Sequence, residues 1–528
     1  MRSKRRHLPK FASTFQQHFF IYFSDNQNHI LKFQILPKTS TTMPQQIQQV
    51  RNSLQRIYVK LLRAEKKARG AIAHVDPQQR LSALNLLHYL TLRCEDLRHL
   101  QDRLHNAGLS SLASAESHVL HQVQAVLQRL GDKFEPTAQS SLDYIAGGKL
   151  IRRRATQLFG QRYLNDIPHL MVTLDSHLAY DYIGVKTLVD AGMNVARINC
   201  AHDHEEIWLR MIENVRKAAT ISGHSCKIYL DLAGPKIRTV VLGKGRKKGR
   251  MNIEENARFL LADADADFPK DEKVLGCAIP GIVADLRPGD RVLFDDGLFE
   301  AIVEKSSPQI ATLRMTRIAS DKHRIKNEKG INFPDTPLSV TCLTDFDKSV
   351  LPFALQHADM IGFSFVRQST DVAELQALIQ EHSSRQVPIV IKIETYEAVQ
   401  NLPSLLLQGM AAPVFGVMIA RGDLAVEIGF ERLSEIQDEI LWLCEAAHVP
   451  VIWATQVLET LNKSGVATRS EVTDAAHAAL AECVMLNKGN YMLDVLATLQ
   501  DILKRSGGHH SKKRYVLRPL KIAERFWA

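Results

Sequence analysis

The chain has 528 residues, 45% of them hydrophobic, which is enough for two to four domains with cores of their own. Much of its +10 net charge gathers near the ends, the pattern of solvated termini, and no DNA- or RNA-binding motif accompanies it. Seven scattered cysteines without a CxxC pair argue for a reducing compartment and against a disulfide frame or a zinc site, and no apolar run reaches membrane-spanning length.

Residues 1–42 form a basic stretch (Arg2, Lys4, Arg5, Arg6, Lys10, Lys32 and Lys38 against Asp25), read as a disordered or mis-assigned start, since Met43 opens a cleaner amphipathic segment. Residues 43–150 read as a helical region. Leu54, Ile57 and Leu61 form one stripe, and Ala83, Leu90, Leu97 and Leu104 recur every seven residues. Val119, Val123 and Val126 form a third stripe, with breaks at Pro77 and 108–111. The heptads are few and interrupted by Arg93, so a small antiparallel helical unit is favoured over a coiled-coil docking face.

From about residue 167 the pattern becomes alternation. Strand-like runs occur at 169–174, 194–200, 226–232, 360–365, 389–394, 417–421, 451–456 and 483–487. Helical stretches at 181–191, 371–382, 434–447, 470–480 and 491–505 lie between or after them. Eight short buried strands alternating with helices predict an α/β fold of the (β/α)8 barrel class. An open doubly wound sheet is less favoured, because no G-x-G-x-x-G follows an early strand. The barrel is assigned to 167–239 and 337–506, followed by a basic tail at 507–528. Between its two parts, residues 240–336 read as an inserted small β domain with a turn at Asp295-Asp-Gly297. A helix-compatible segment, 339–357, returns to the barrel.

Polar residues collect where the predicted strands end. They are Arg197, Asn199 and His202 on the second, Asp231 and Gly234-Pro-Lys-Ile-Arg238 on the third, and Ser364 and Arg367 on the fourth. Lys392 and Glu394 follow on the fifth, Arg421 and Asp423 on the sixth, and Thr455 and Gln456 on the seventh. Residues two apart on a strand face the same way, so Lys392 and Glu394 point to one side together. Carboxylates beside Lys and Arg suit a divalent metal and a phosphorylated anion, and such a site works by positioning and charge neutralisation. Two smaller features read blandly. Lys244-Gly-Arg-Lys-Lys-Gly-Arg250 lacks P-loop spacing and suits a solvated loop, while His202-Asp-His204 has no third ligand nearby and suits a structural role.

These motifs resemble the pyruvate kinase family. The resemblance lies in Asn194-Val-Ala-Arg-Ile-Asn, Asp231-Leu-Ala-Gly-Pro-Lys-Ile-Arg-Thr239, Asp295-Asp-Gly-Leu298, Lys329-Gly-Ile-Asn-Phe-Pro334 and Phe363-Ser-Phe-Val-Arg367. It continues through Ile391-Lys-Ile-Glu394, Ala420-Arg-Gly-Asp-Leu424 and Ala454-Thr-Gln-Val-Leu-Glu459, over roughly residues 167–500. It implies phosphoryl transfer from phosphoenolpyruvate to ADP, giving pyruvate and ATP, by a cytoplasmic glycolytic enzyme. Glu394 and Asp423 would hold Mg2+ or Mn2+, and Lys392 would lie along the phosphoryl path with Arg197 on the phosphate. Gly422 and Asp423 amides with Thr455 would seat the carboxylate, Ser364 would lie at the substrate, and Thr455 would stand near the protonated carbon. Arg238, Lys329, Asn199 and His202 would face the nucleotide, and the inserted domain would act as a lid. No nucleic acid or membrane partner is implied, and a homo-oligomer through the barrel or the N-terminal helices is one expectation.

Departures from the family pattern carry their own expectations. Asn199-Cys-Ala-His202 lacks the hydroxyl that helps bind potassium in many members, and Lys236 stands where potassium-dependent relatives carry glutamate. The monovalent-cation region of Asn199, Asp231 and Lys236 is therefore expected to need no potassium. Asp175 and Asn487-Lys-Gly-Asn490 replace family loop residues after the first and eighth strands, and the helical region before 150 is unusual. The family's C-terminal domain is expected to be absent, and with it sugar-phosphate control by that route. Two other readings stand beside this one: a related metal-dependent barrel enzyme acting on a phosphoenolpyruvate-like or oxaloacetate-like acid, and a non-catalytic scaffold.

Overall fold

The computed structural model describes residues 44–515 except 135–141, 163, 165, 270, 322, 508, 509 and 513. The basic stretch 1–42 and most of the basic tail lie outside the described residues. The chain divides into two compact units, Met1–Gln45 and Gln46–Ala528, and the architecture that follows belongs to the second.

Eight parallel strands close into a barrel: β1 (His169–Thr173), β2 (Val195–Asn199), β3 (Lys227–Asp231), β4 (Met360–Phe363), β5 (Ile389–Ile393), β6 (Gly416–Ala420), β7 (Val451–Ala454) and β8 (Cys483–Leu486). Each pairs with its sequence neighbour and β8 returns to β1, placing Leu170 opposite Val484 and Thr173 opposite Arg197. Every residue of β1, β4, β5, β6, β7 and β8 is buried, as expected of strands covered on one face by helices and on the other by the barrel interior. The helix-compatible segment at 339–357 is helical only over Asp345–His357, where Thr344 and Asp347 form a reciprocal cap.

The inserted part is a seven-stranded sheet. Its order runs from Ile331–Asn332 through Arg291–Phe294, Phe299–Ser306, Ile310–Ile318, Arg258–Ala262 and Val274–Cys277 to Thr239–Val241. Alternate residues Phe299, Ala301 and Val303 face its core, which also holds Phe259, Leu261, Phe294 and Met315. The turn at 295–297 has φ of 53°, 55° and 80° at Asp295, Asp296 and Gly297, left-handed geometry that Asp and Gly tolerate best.

The N-terminal helices are Gln45–Lys67, Arg80–Arg93, Arg98–Asn106 and Val119–Arg129. The heptad stripe does not run through one helix: the chain breaks between Arg93 and Arg98, burying Ala83, Leu86, Leu100 and Leu104 but leaving Leu90 and Leu97 only half-buried. A fifth helix, Tyr144–Phe159, follows. Asp143 caps it by accepting from the Ala146 amide at 2.7 Å, and it ends at Gly160, where φ is 85°. Its Ala155, Leu158 and Phe159 share one buried cluster with residues from all eight barrel strands: Met171, Val195, Tyr229, Met360, Val390, Met418 with Ala420, Ile452 with Ala454, and Cys483 with Met485. Burying the Leu158 and Phe159 side chains contributes roughly 1.5–3 kcal/mol each. The fit is close, since a Cβ on Gly416 would lie 2.7 Å from Leu158 Cδ2. Arg154 on the same helix donates to Ser82 Oγ at 2.9 Å and to the His448 carbonyl at 3.0 Å, tying the helical region to the barrel. With this end plugged, the C-terminal strand ends remain for chemistry.

Candidate active site

The fifth strand ends in Lys392 and the sixth leads into Asp423, and both side chains meet ionic partners. Lys392 is 7% exposed, and its Nζ stands 2.7 Å from Ser364 Oγ, 3.2 Å from Glu394 Oε1 and 3.3 Å from Asp231 Oδ2. Asp231 closes the β3 end of this network. It accepts from Arg197 Nε at 2.9 Å, and Arg197 Nη1 donates to Thr173 Oγ1 at 3.0 Å. Glu394 accepts from the Phe365 amide at 2.7 Å.

Burial alone would neutralise these groups, and their mutual charges decide the outcome. Burial pushes the Asp231 carboxyl up, but Lys392 and Arg197 outweigh it and hold Asp231 below its ordinary value. Burial pulls Lys392 down, and Asp231 with Glu394 overcome it, leaving the ammonium raised and charged. Glu394 is pushed up by burial. Lys392 opposes the shift and the Asp423 charge adds to it. A nearby like charge disfavours the charged form of a carboxylate in this way.

Asp423 lies in the first turn of the helix Arg421–Ile428, three residues past the end of β6. Lys236 Nζ reaches both of its oxygens, at 2.9 and 3.1 Å. Lys236 is therefore not brought to Asn199 and Asp231 by any of its hydrogen bonds, as the monovalent-cation grouping anticipated; its partner is the predicted metal ligand. Arg421 also departs from the strand reading. Its Nε donates to the Ala454 carbonyl at 2.9 Å, its Nη groups reach Asp474 and the Thr455 carbonyl, and its guanidinium stacks on Trp453 at 4.5 Å. Once the helix starts at Arg421, residues two apart no longer share a face, so Arg421 and Asp423 point to different neighbours.

The Arg421 contacts hold the strained loop after β7, where Thr455, Gln456 and Leu458 have φ of 64°, 56° and 48°; Phe365, after β4, has 56°. Such values are rare for side chains of these kinds and typical of sites where geometry is imposed. Thr455 Oγ1 is buried with no hydrogen-bond partner, and a Cβ on Gly422 would lie 3.8 Å from it. An orphan hydroxyl beside the first-turn amides of the Arg421–Ile428 helix can take an anionic oxygen.

Two cavities flank these groups. One of ≈530 Å³ lies between the inserted sheet's return segment and the barrel, lined by Lys236, Asn332, Phe333, Phe365, Asp423 and Glu427 among others. The other, ≈330 Å³, is lined by Thr173, Ser176, Arg197, Asn199, His202, Asp203, Lys463 and Lys488 among others. The predicted nucleotide residues thus divide. Asn199 and His202 line the smaller cavity. Arg238 donates to the Glu328 carbonyl at 3.0 Å and Lys329 Nζ pairs with Asp295 at 2.7 Å, both within the inserted part, and neither lines either cavity.

Sequence reasoning missed Thr173, Asn332 and Glu427 as site neighbours, along with the Lys488–Asp175 pair at 3.4 Å that joins the loops after β1 and β8. Thr173 carried a signal, being the polar end of an apolar strand; the other contacts are long-range. Burial pushes Glu427 up to about 7, against hydrogen bonds from Asn332 and the Tyr396 backbone, with the Asp423 charge adding to the rise.

Among the described residues no group of three or more His, Cys, Asp and Glu side chains could hold a metal. Glu394 and Asp423 alone fit a hard divalent cation, since Mg2+ takes one or two carboxylates and completes its shell with water and substrate oxygens.

The family described as pyruvate kinase, barrel domain, matches residues 177–494. The chain is similar to the pyruvate kinase of Geobacillus stearothermophilus, 33% identical over 327 residues, covering 60% of this chain and 53% of that one. It is likewise similar to that of Bacillus licheniformis, 34% identical over 330 residues, covering 60% and 54%. The crystal structure of a pyruvate kinase from Cryptosporidium parvum superimposes with a TM-score of 0.58 at 26% identity, covering 66% of this chain and 72% of that one. The chain spans about half the length of the two curated relatives.

Proposed function

This chain belongs to the pyruvate kinase family, and on that premise we propose that it transfers the phosphoryl group of phosphoenolpyruvate to ADP, giving pyruvate and ATP. The observation that carries this reading is the buried Lys392 ammonium, kept charged by Asp231 and Glu394 at the C-terminal end of β5.

Lys392 and Arg197 offset charge on the oxygens of the transferring group. Asp231 and Thr173 pin the Arg197 guanidinium, and Ser364 holds the Lys392 ammonium, so neither cation needs to reorganise as charge develops. The amides of Gly422 and Asp423 with the Thr455 hydroxyl seat the substrate carboxylate, and the same hydroxyl relays a proton through water toward the carbon of the enolate. Mg2+ or Mn2+ held by Glu394 and Asp423 supplies Lewis-acid neutralisation of the substrate oxygens when bound. Asn199 and His202 take the nucleotide from the smaller cavity, with Arg238 and Lys329 reaching it once the inserted sheet closes as a lid that excludes water.

Potassium is not required in this reading, because the Lys236 side chain brings its own positive charge to the site. A cytoplasmic setting is supported by seven free cysteines, five of them buried. Production of pyruvate from phosphoenolpyruvate, ADP and Mg2+ in a coupled assay tests the reading.

A further inference from the structure

Each of the two carboxylates that fit the divalent cation already has an ammonium against it. Glu394 has Lys392, and Asp423 has Lys236. The two ammoniums differ in what else holds them. Lys392 is 7% exposed and bonded to Ser364 and Asp231 as well, so it stays in place when a cation approaches Glu394. Among the described residues the hydrogen bonds from the Lys236 side chain go only to Asp423, and about a third of that side chain is exposed to the ≈530 Å³ cleft. Its Cε passes beside Gly330, where an added Cβ would lie 3.6 Å away, so the side chain runs along the return segment of the inserted sheet.

Lys236 Nζ bridges both Asp423 oxygens, the region a cation bound to that carboxylate must enter. Mg2+ needs its oxygen ligands at about 2.0–2.1 Å and tolerates little distortion, so ammonium and metal ion compete for the face of this carboxylate that Lys236 now bridges. We propose that Lys236 is the resident counter-cation of Asp423 and gives that carboxylate up as the divalent cation binds, thereby setting the cation's affinity. The inference rests on the reading of Glu394 and Asp423 as the metal pair.

Charge balance adds a second consequence. Arg197, Lys392 and Lys236 face Asp231, Glu394 and Asp423, three of each sign. An entering divalent cation leaves this set two charges positive, with a freed ammonium in the cleft. A bound phosphorylated carboxylic acid offsets that excess, so cation and anion each tighten the other's binding, and Lys236 is a positioning residue for both.

Binding of Mn2+ tests this without turnover, by electron paramagnetic resonance of the free ion in the absence of nucleotide. Lys236→Met is expected to bind Mn2+ about tenfold more tightly than wild type, an ordinary size for coupling between ligands. Phosphoenolpyruvate is expected to tighten Mn2+ binding more in wild type than in the variant, and Asp423→Asn to weaken it in either background. Lys236→Gln serves as the second variant, and circular dichroism reports whether each is folded. Mn2+ affinity that is unchanged or weaker in folded Lys236→Met or Lys236→Gln overturns the proposal while leaving phosphoryl transfer standing. Wild-type affinity that Asp423→Asn does not alter overturns the metal pair and this inference with it. Tighter binding by the Lys236 variants in a chain that makes no pyruvate supports the exchange and removes only the functional reading.

Discussion

Asn332 Nδ2 donates to Glu427 Oε1 across 2.9 Å, joining the last strand of the inserted sheet to the helix that carries Asp423. The contact ties the inserted sheet to the barrel, and it ends on a carboxyl that burial pushes up to about 7. A folded value above the unfolded one means the native chain holds a proton that the unfolded chain releases. The associated stability is fully present below about 4.5 and is lost as pH rises through about 7. The stability difference between wild type and Glu427→Gln is expected to change across that window, with wild type losing ground as pH rises. A difference in urea midpoints independent of pH from 4.5 to 8 would contradict this.

His448 makes the opposite prediction at the other end of the barrel. It is fully buried, its Nε2 stands 2.9 Å from the Ser117 carbonyl and its Nδ1 3.1 Å from Ser82 Oγ, and burial lowers it to about 3 with Arg154 adding to the shift. A depressed folded value means the unfolded chain takes the proton first, so stability falls as pH drops from about 6.5 toward 3. The His448 imidazole resonances are expected to stay in the neutral form down to about pH 4 while exposed histidines titrate. Titration of His448 near 6.5 in the native protein would refute the assignment.

The parts legible in the sequence were those whose signal is local. A period-two strand makes Lys392 and Glu394 share a side, and the apolar run Ile389, Val390 and Ile391 before a charge marks the strand end that positions them. The plugging helix escaped because Arg154 stands in its apolar stripe between Ile151 and Leu158, and only tertiary structure shows Arg154 buried against carbonyls. The Lys236–Asp423 pair spans 187 positions, and nothing in either local segment names the other. Arg421 was misleading because its strand gives way to helix at that residue, which changes the periodicity from two to 3.6.

Lys488 and Asp175, both departures from the family pattern, meet at 3.4 Å on the rim of the cavity that Asn199 and His202 line. An ammonium there is available to the phosphates of ADP, in competition with Asp175. Lys488→Ala is expected to raise KM for ADP by roughly three- to tenfold, about one exposed charge-assisted contact, with kcat little changed. Asp175→Asn should shift KM the other way. Unaltered KM in both variants would exclude the loop pair from nucleotide binding.

Potassium provides a separate check on Lys236. Turnover in tetramethylammonium buffer is expected to equal turnover in potassium buffer at the same ionic strength. A many-fold rise on adding potassium would contradict the role given to the Lys236 ammonium.

The most direct measurement is the rate of pyruvate formation from phosphoenolpyruvate, ADP and Mg2+, with wild type and Lys392→Met assayed side by side. The account predicts turnover by wild type and a loss on the order of 10²–10³ in the variant, the cost of one charged transition-state contact. Equal rates would remove Lys392 from the phosphoryl path. No pyruvate from folded, metal-loaded wild type would contradict the account as a whole.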